Sequence, residues 1–387
     1  PRTGTRTLAH DDIVIPADTG AVLIVDLDAI ADNFRLIRDR CPSARVGASV
    51  KANAYGLGVG PVTRTLAAAG CESFFVATLA EGVYLRKIGC DAEIIVLNGP
   101  EPGTGSIFRD ARLTATLNSL AQIQTWAAEA TLGHTPAWLH VDTGMNRLGL
   151  GAHDVDAILA APERISSLAI VGILSHLACA DHPGHPMNAA QRTAFDAVRD
   201  RLEPLTGPVA ASLANSPGVF LGPDFHYGLV RPGAALYGIR PLMDGPNPMT
   251  QVIDIYTKIL QLRNVDTPMT VGYGAAHQVT SPRRIATLAA GYADGYPRAA
   301  TARMEGNSMC AFIDGQAAPL VGRVSMDLIT IDVTEIPVEL CQPGQIVELM
   351  GPHVQVDEVA DVSGTIAYEV LSRLGARLHV DYRGGVR

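Results

Sequence analysis

Between about Arg45 and Gly238 the chain repeats one unit: a short apolar run, then a stretch whose apolar residues fall three and four apart. The runs are "VGASVKA", "FFVATLA", "AEIIVLNG", "LTATLN", "AWLHVDTG", "IVGILSHLA", "AASLANS" and "GLVRPGAALYG". Between them lie segments such as "PVTRTLAAAG", "AEGVYLRKIG" and "AAQRTAFDAVRDRLEPL", with helical spacing. Parallel strands need a crossover, so strand and helix in alternation read as βαβ units. Eight runs favour a closed (β/α)8 TIM barrel over an open doubly wound sheet. No glycine-rich dinucleotide fingerprint follows the first run, which weakens the open-sheet alternative.

The pattern changes after about Pro241. "IDIYTKILQLRNV", "RRIATLAAGY", "MCAFIDG", "LITIDVT" and "QIVELMG" are β-rich and broken by Gly, Pro and Asp, as in an antiparallel sheet. "GTIAYEVLSRLG" interrupts them with one helical stretch. The fold class is therefore α/β, a (β/α)8 barrel followed by a mainly β C-terminal domain. The expected division is an N-terminal arm at 1–20, a barrel with its preceding strand at 21–241, and the β-domain at 242–387. The strand in "GAVLIVDLDAIADNFRLIRDR" is open to pairing with the C-terminal domain instead of the barrel.

A chain of 387 residues suits two domains, and 47% hydrophobic with 18% charged residues suits a large interior. Net charge is −9, from 30 basic and 39 acidic residues with no basic block, which argues against a nucleic-acid partner. The apolar stretches are strand-length, so no membrane span is expected. The opening "PRTGTRTLAHDDIVIPADTG" lacks the apolar core of a signal peptide and reads as a mobile or loosely docked arm. Six cysteines without CxxC spacing read as reduced core thiols, and the cytoplasm is the expected compartment. His182 and His185 in "DHPGHP" look like a loop, and no metal site is expected.

In a (β/α)8 barrel the C-terminal strand ends converge on one mouth. Polar residues stand at those ends: Lys51 with Tyr55, Asn98, His140 with Arg147 just beyond, His176, Asn215 with Ser216, and Arg231. A single lysine there is commonly a snorkelling cation, but a set of polar residues at matching positions points to a site. A lysine in a dry pocket has a lowered pKa and serves as a nucleophile or base, often as an imine with a carbonyl such as that of pyridoxal phosphate (PLP). "ANSPG" and "RPGAALYG" follow the seventh and eighth runs, where barrels commonly bind phosphate, and Gly233 lets backbone approach an anion. Arg231 is either a barrel-rim arginine or an unusual pyridine partner, one that does not surrender its proton.

"VKANAYGLG", "HVDTGMNRLG", "SHLACAD", "ANSPG", "VRPGAALYG", "AGYADGYPR" and "VGRVSMD" resemble, in order, the motifs of the alanine racemase family, fold-type III PLP enzymes. The match runs from about Ala21 to the C-terminus. "KANAYG" alone would suit other PLP barrels, whereas "GYADGYPR" with "GRVSMD" marks the racemase branch. The resemblance implies that Lys51 carries the cofactor and is one of two bases. It implies that Tyr292 is the other, supplied by the partner subunit of a homodimer. Arg231 matches the pyridine-nitrogen partner, and His176 the histidine packed near the cofactor and linked to that tyrosine. Tyr55, Ser216 (beside Asn215), Gly233, Ala234 and Tyr368 match phosphate-binding positions. Arg147 matches the arginine at the phenolic oxygen and substrate, and Met326 with Asp327 the pair at the substrate carboxylate. His140 stands where many members carry a carbamylated lysine, so no carbamate is expected.

The implied activity is interconversion of L- and D-alanine by proton exchange at Cα, supplying D-alanine for peptidoglycan. Read without the resemblance, Tyr292 and Tyr296 are turn aromatics far from Lys51, and Asp294 is a turn-capping carboxylate. Two alternatives use the same residues or architecture. One is a broader racemase taking serine, lysine or arginine. The other is a PLP-binding barrel without catalysis, or a basic-amino-acid decarboxylase. The C-terminal domain argues against the small binding protein, and arginine in "LVRPG", where a decarboxylase would place a carboxylate, argues against the decarboxylase.

Overall fold

The computed structural model describes residues 13–130, 136–300 and 309–386. Two compact units form, one over Ile30–Met249 and one joining the described residues up to Ala29 with Thr250–Gly384. The first strand, β1 (Ala21–Asp26), belongs to the second of these.

The unit over Ile30–Met249 is the barrel. Its strands are β2 (Arg45–Val46), β3 (Ala48–Ser49), β4 (Ser73–Val76), β5 (Glu93–Val96), β6 (Thr114–Leu117), β7 (Pro136–His140), β8 (Ala169–Leu174), β9 (Ala210–Ser212) and β10 (Leu229–Val230). β3 to β9 lie side by side in chain order, every pair parallel. β10 closes the circle by pairing parallel with β2. On its other side Gly228 N and Arg231 N donate to Ala211 O and Ala214 O at 3.1 and 2.9 Å. β2 and β3 occupy one strand position, broken at Gly47, so eight positions complete the barrel. β10 is much shorter than its apolar run because Pro232 has no N–H to continue the ladder. Its carbonyl still accepts from Ser49 N at 2.8 Å.

Phe75, Ile95, Trp138, Leu174 and Leu229, from five strands, pack into one buried cluster. Two glycines make room for its largest rings. A Cβ at Gly172 would lie 2.3 Å from Cζ3 of Trp138, and one at Gly47 would lie 2.7 Å from Cε2 of Phe75. Both glycines are therefore packing requirements of the barrel wall.

The second unit is built on β11 (Ile253–Val265), β12 (Thr270–Val271), β13 (His277–Gln278), β14 (Arg283–Leu288), β15 (Cys310–Ile313), β16 (Gln316–Pro319), β17 (Ile329–Asp332), β18 (Ile346–Met350) and β19 (His379–Arg383). The sheet order is β16-β15-β18-β11-β1-β19, with β14 on the far half of β11 and β17 on β14. All pairs are antiparallel except β1 with β19. β11 serves two neighbourhoods because its register shifts between Ile259 and Gln261. The expected helical stretch forms at Ala367–Ser372.

Grouping 21–241 with the barrel needs correction at its start. β1 is hydrogen-bonded between β11 and β19, and its burial on both faces is what a central strand requires. Residues 242–249 stay with the barrel unit, where Met243 N donates to Asp181 O at 3.0 Å. Of the N-terminal arm, residues 1–12 lie outside the described residues. Ile13 and Ile15 dock against Val22, Ile24 and Tyr256.

Gly172→Ala is expected to lower the unfolding free energy of the barrel by about 1–3 kcal/mol through overpacking against Trp138. Both tryptophans of the chain, Trp126 and Trp138, lie in this unit, so denaturant melts followed by tryptophan fluorescence check it directly.

Candidate active site

Lys51 follows β3 after a single residue, Val50, at the C-terminal end of its strand position. Beyond it Ala52, Asn53, Ala54 and Tyr55 take φ of 52°, 55°, 54° and 56°, a left-handed turn of four non-glycine residues. Each such residue costs roughly 1–2 kcal/mol. The turn is held by Ala54 N to Val50 O at 2.9 Å, Gly56 N to Ala52 O at 2.8 Å and Gly58 N to Asn53 O at 3.0 Å. Asn53 adds its Oδ1, which accepts from Val59 N at 2.9 Å. The result buries Tyr55 with its hydroxyl against Gly233, where a Cβ would come within 2.4 Å of Oη. Glycine is thus required there for contact with the phenol, in a role separate from φ.

Arg231 emerges from β10 buried. Its Nη1 donates to Ser212 Oγ and its Nη2 to Ser175 O at 2.5 Å. Neither acceptor is charged, and among the described residues Arg231 has no carboxylate in an ion pair. Burial lowers its pKa to about 10, so the guanidinium remains charged at neutral pH. Ser216, also buried, accepts from Gly233 N at 2.9 Å and Ala235 N at 3.1 Å. Asn215 does not turn to this cluster. Its Oδ1 accepts from Gly218 N at 3.0 Å and its Nδ2 reaches Leu177 O at 3.4 Å, fixing the turn Pro217–Leu221. Asn98 is exposed, and its carbonyl accepts from Gln122 Nε2 at 2.8 Å.

Arg147 is carried by a loop tied at its base, where Leu150 N donates to His140 O at 2.7 Å and Asp142 N to Leu150 O at 3.0 Å. The Asp142 carboxylate organises the loop, accepting from Gly144 N and Met145 N at 2.9 Å each and from Asn146 N at 2.9 Å. Nδ1 of His140 lies 2.7 Å from Asn118 Oδ1. Nδ2 of Asn118 donates to Leu97 O at 3.0 Å, so its Oδ1 accepts, and His140 carries its proton on Nδ1.

The charges of this cluster act on one another. Burial, then Arg147, lower the pKa of Lys51, against a raising influence from Glu81, and Arg231 lowers it further. Burial and then Arg231 push His140 down to about 4. The same two causes hold His176 well below the ordinary histidine range. Lys51, Arg147 and Arg231 therefore make a cationic mouth lined by neutral imidazoles. Among the described residues none of the three cations is in an ion pair, so the site suits an anionic group such as a phosphate.

The remaining expected residues lie in the C-terminal unit. Tyr292 begins the turn Tyr292–Asp294 and lines a cavity of about 570 Å³ with Tyr273, Arg298, Arg323, Met326 and Asp327. Tyr292 N donates to Ser325 O and Ala293 N to Met326 O, both at 3.0 Å, which ties the two loops together. Asp294 is the expected turn cap, its Oδ2 accepting from Gly291 N at 2.8 Å. Arg377 then clamps the assembly, donating from Nε and Nη2 to Asp294 at 3.0 and 2.8 Å and from Nη1 to Asp327 at 2.7 Å. Tyr368 stands apart on the helix Ala367–Ser372 and does not line the cavity. His185 caps the helix Pro186–Thr206, its Nδ1 accepting from Met187 N at 3.2 Å. Among the described residues no cluster of three or more His, Cys, Asp or Glu side chains is placed to hold a metal.

The profile of the alanine racemase N-terminal domain matches residues 25–241, and that of the alanine racemase C-terminal domain matches residues 252–382. The chain belongs to the alanine racemase family. An alanine racemase of Rhodospirillum rubrum is 48% identical over 371 residues, covering 95% of this chain and 96% of its own. A biosynthetic alanine racemase of Agrobacterium fabrum is 42% identical over 367 residues, covering 93% of each chain. The crystal structure of the Bartonella henselae alanine racemase with covalently bound pyridoxal phosphate superposes with a TM-score of 0.88 at 35% identity, covering 95% of this chain and all of that one.

The buried imidazoles of this racemase-family barrel predict acid sensitivity. A histidine in the unfolded chain protonates near pH 6.5, whereas folded His140 does so only near 4. Between these values the unfolded chain binds more protons, so stability is complete above about pH 6.5 and falls as the pH drops toward 4. The slope is up to about 1.4 kcal/mol per pH unit for each such group. Unfolding free energies measured across this window should fall with acid, and H140Q should flatten the slope by about one proton.

Proposed function

We propose that this chain interconverts L- and D-alanine with pyridoxal phosphate, using Lys51 and Tyr292 as bases on opposite faces of Cα. The observation that carries the reading is the barrel mouth itself, a lysine among cations that form no ion pair with a carboxylate among the described residues, in a chain of the alanine racemase family. The residues fit the cofactor. Lys51 Nζ is the attachment point, and its lowered pKa favours the free amine. Arg231 suits the ring nitrogen, because a guanidinium donates a hydrogen bond there without giving up its proton. Ser216, Gly233, Ala234 and Tyr55 are assigned to the phosphate, Tyr368 joins them on the family motif alone, and Arg147 is assigned to the phenolic oxygen. Bound, the cofactor withdraws electrons from the substrate Cα and so acidifies its hydrogen.

The amine of Lys51 holds or releases a proton on one face of Cα, and the Tyr292 phenol does so on the other. Met326 and Asp327 flank the substrate carboxylate, with Arg147 turned to the same group. The bulk of Tyr292, Met326 and Tyr368 favours a methyl side chain, and so alanine over serine, lysine or arginine. Tyr292 and Met326 come from a second copy in a homodimer with shared sites. Supporting this, Tyr273, Tyr292, Met326, Leu328, Ile366 and Tyr368 are large apolar side chains exposed on the C-terminal unit. No described helix is long and apolar enough to cross a membrane. The enzyme works in the cytoplasm, supplying D-alanine to peptidoglycan.

Lys51→Ala should abolish the lysine-linked absorbance of the bound cofactor and racemisation together. Tyr292→Phe should keep that absorbance and slow exchange of the Cα hydrogen of L-alanine in deuterated water by about 100-fold or more. Exchange from D-alanine should slow far less. Equal slowing of both enantiomers would refute opposed bases.

A further inference from the structure

Glu81 is half-buried in the first turn of the helix Leu79–Lys87. One of its carboxylate oxygens does the work of a capping box. Oε2 accepts from Ala77 N at 2.8 Å and Thr78 N at 3.2 Å, and Thr78 Oγ1 accepts in return from Glu81 N at 3.3 Å. The second oxygen leaves the helix. Oε1 accepts from Ala52 N at 2.7 Å, on the residue immediately after Lys51. Helix capping does not require that bond.

Ala52 opens the run of four left-handed non-glycine residues, a conformation the chain holds only where its surroundings over-determine it. The hydrogen bonds from Ala54, Gly56 and Gly58 fix the later part of that turn. Ala52 N is fixed by Glu81. The carboxylate thereby joins the end of β4 and the start of its helix to the backbone beside the lysine. It is also the group near Lys51 that favours the charged amine, where burial, Arg147 and Arg231 oppose it.

We propose that Glu81 is a positioning residue for Lys51: by pinning Ala52 it holds the strained left-handed turn that directs the lysine amine into the barrel mouth. The proposal rests on the reading of Lys51 as the cofactor-bearing amine, and its test is separable from that reading. Two variants of the loaded enzyme distinguish the two oxygens. Glu81→Asp keeps a carboxylate at the helix N-terminus, but its shorter side chain falls short of Ala52. Thr78→Ala weakens the helix cap and leaves the Ala52 bond in place.

Amide hydrogen exchange is followed by mass spectrometry on peptides covering 50–58 and 79–87. In E81D, exchange over 50–58 should speed by about 10-fold or more while 79–87 stays near wild type. In T78A the pattern should reverse. E81D should also lower kcat for alanine racemisation by about 10-fold with KM within about twofold, because the amine is misdirected and the substrate groups are untouched. Exchange over 50–58 within twofold of wild type in E81D, or an equal rise there in T78A, would overturn the proposal. If the cofactor absorbance survived in Lys51→Ala, the reading of Lys51 would fall, and the exchange result would still report whether Glu81 holds the turn.

Discussion

A guanidinium enclosed by protein and bonded only to neutral oxygens sets the terms for the barrel mouth. Removing a cation from water is expensive unless an opposite charge offsets it. Among the described residues Arg231 has as acceptors a serine hydroxyl and a backbone carbonyl. Burial and then its field hold His140 and His176 neutral, and burial, Arg147 and Arg231 in that order favour the free amine of Lys51 against Glu81. The architecture permits this because parallel strands bring their C-terminal ends to one place. Several cations can then share a volume that no single loop could organise.

Local strain and close packing give that field its geometry. The left-handed turn after Lys51 brings Tyr55 against Gly233, and the absence of a Cβ there admits the phenol. Asp142 shapes the loop that carries Arg147 by gathering three backbone N–H groups. In the C-terminal unit Arg377 does the matching work for the loops of Tyr292 and Met326, bridging Asp294 and Asp327. Asp142 and Arg377 thus fix backbone close to residues assigned to the proposed chemistry.

This division explains what was legible in the sequence. Apolar runs become strands because burial dictates their pattern, and residues at strand ends become a mouth because closure of the barrel gathers them. Lys51, Tyr55, Arg147, His176, Ser216 and Arg231 were readable on that logic. Asn215 shared the position but spends its side chain on a turn, and Asn98 stays exposed, which their residue type does not reveal. Glu81, Asn118 and Arg377 were missed because their partners are backbone atoms or side chains distant in the chain. Asp142 was closer to discovery, since an aspartate before Thr-Gly suits a nest of free N–H groups. The membership of β1 was open because a fully apolar strand fits either a barrel or a central sheet position. Pairing alone decided it.

The place of β1 has a consequence for biosynthesis. The strand leaves the ribosome early, yet its parallel neighbour β19 ends only at Arg383. At 5–20 residues per second, the first strand waits roughly 20–70 s for its last partner. The barrel, whose strands follow one another in order, has all its pieces well before that. Nascent chains should therefore pass through a period in which the barrel is formed and β1, with β11 already available on one edge, still lacks β19 on the other. In that interval the free edge of β1 is open to mispairing.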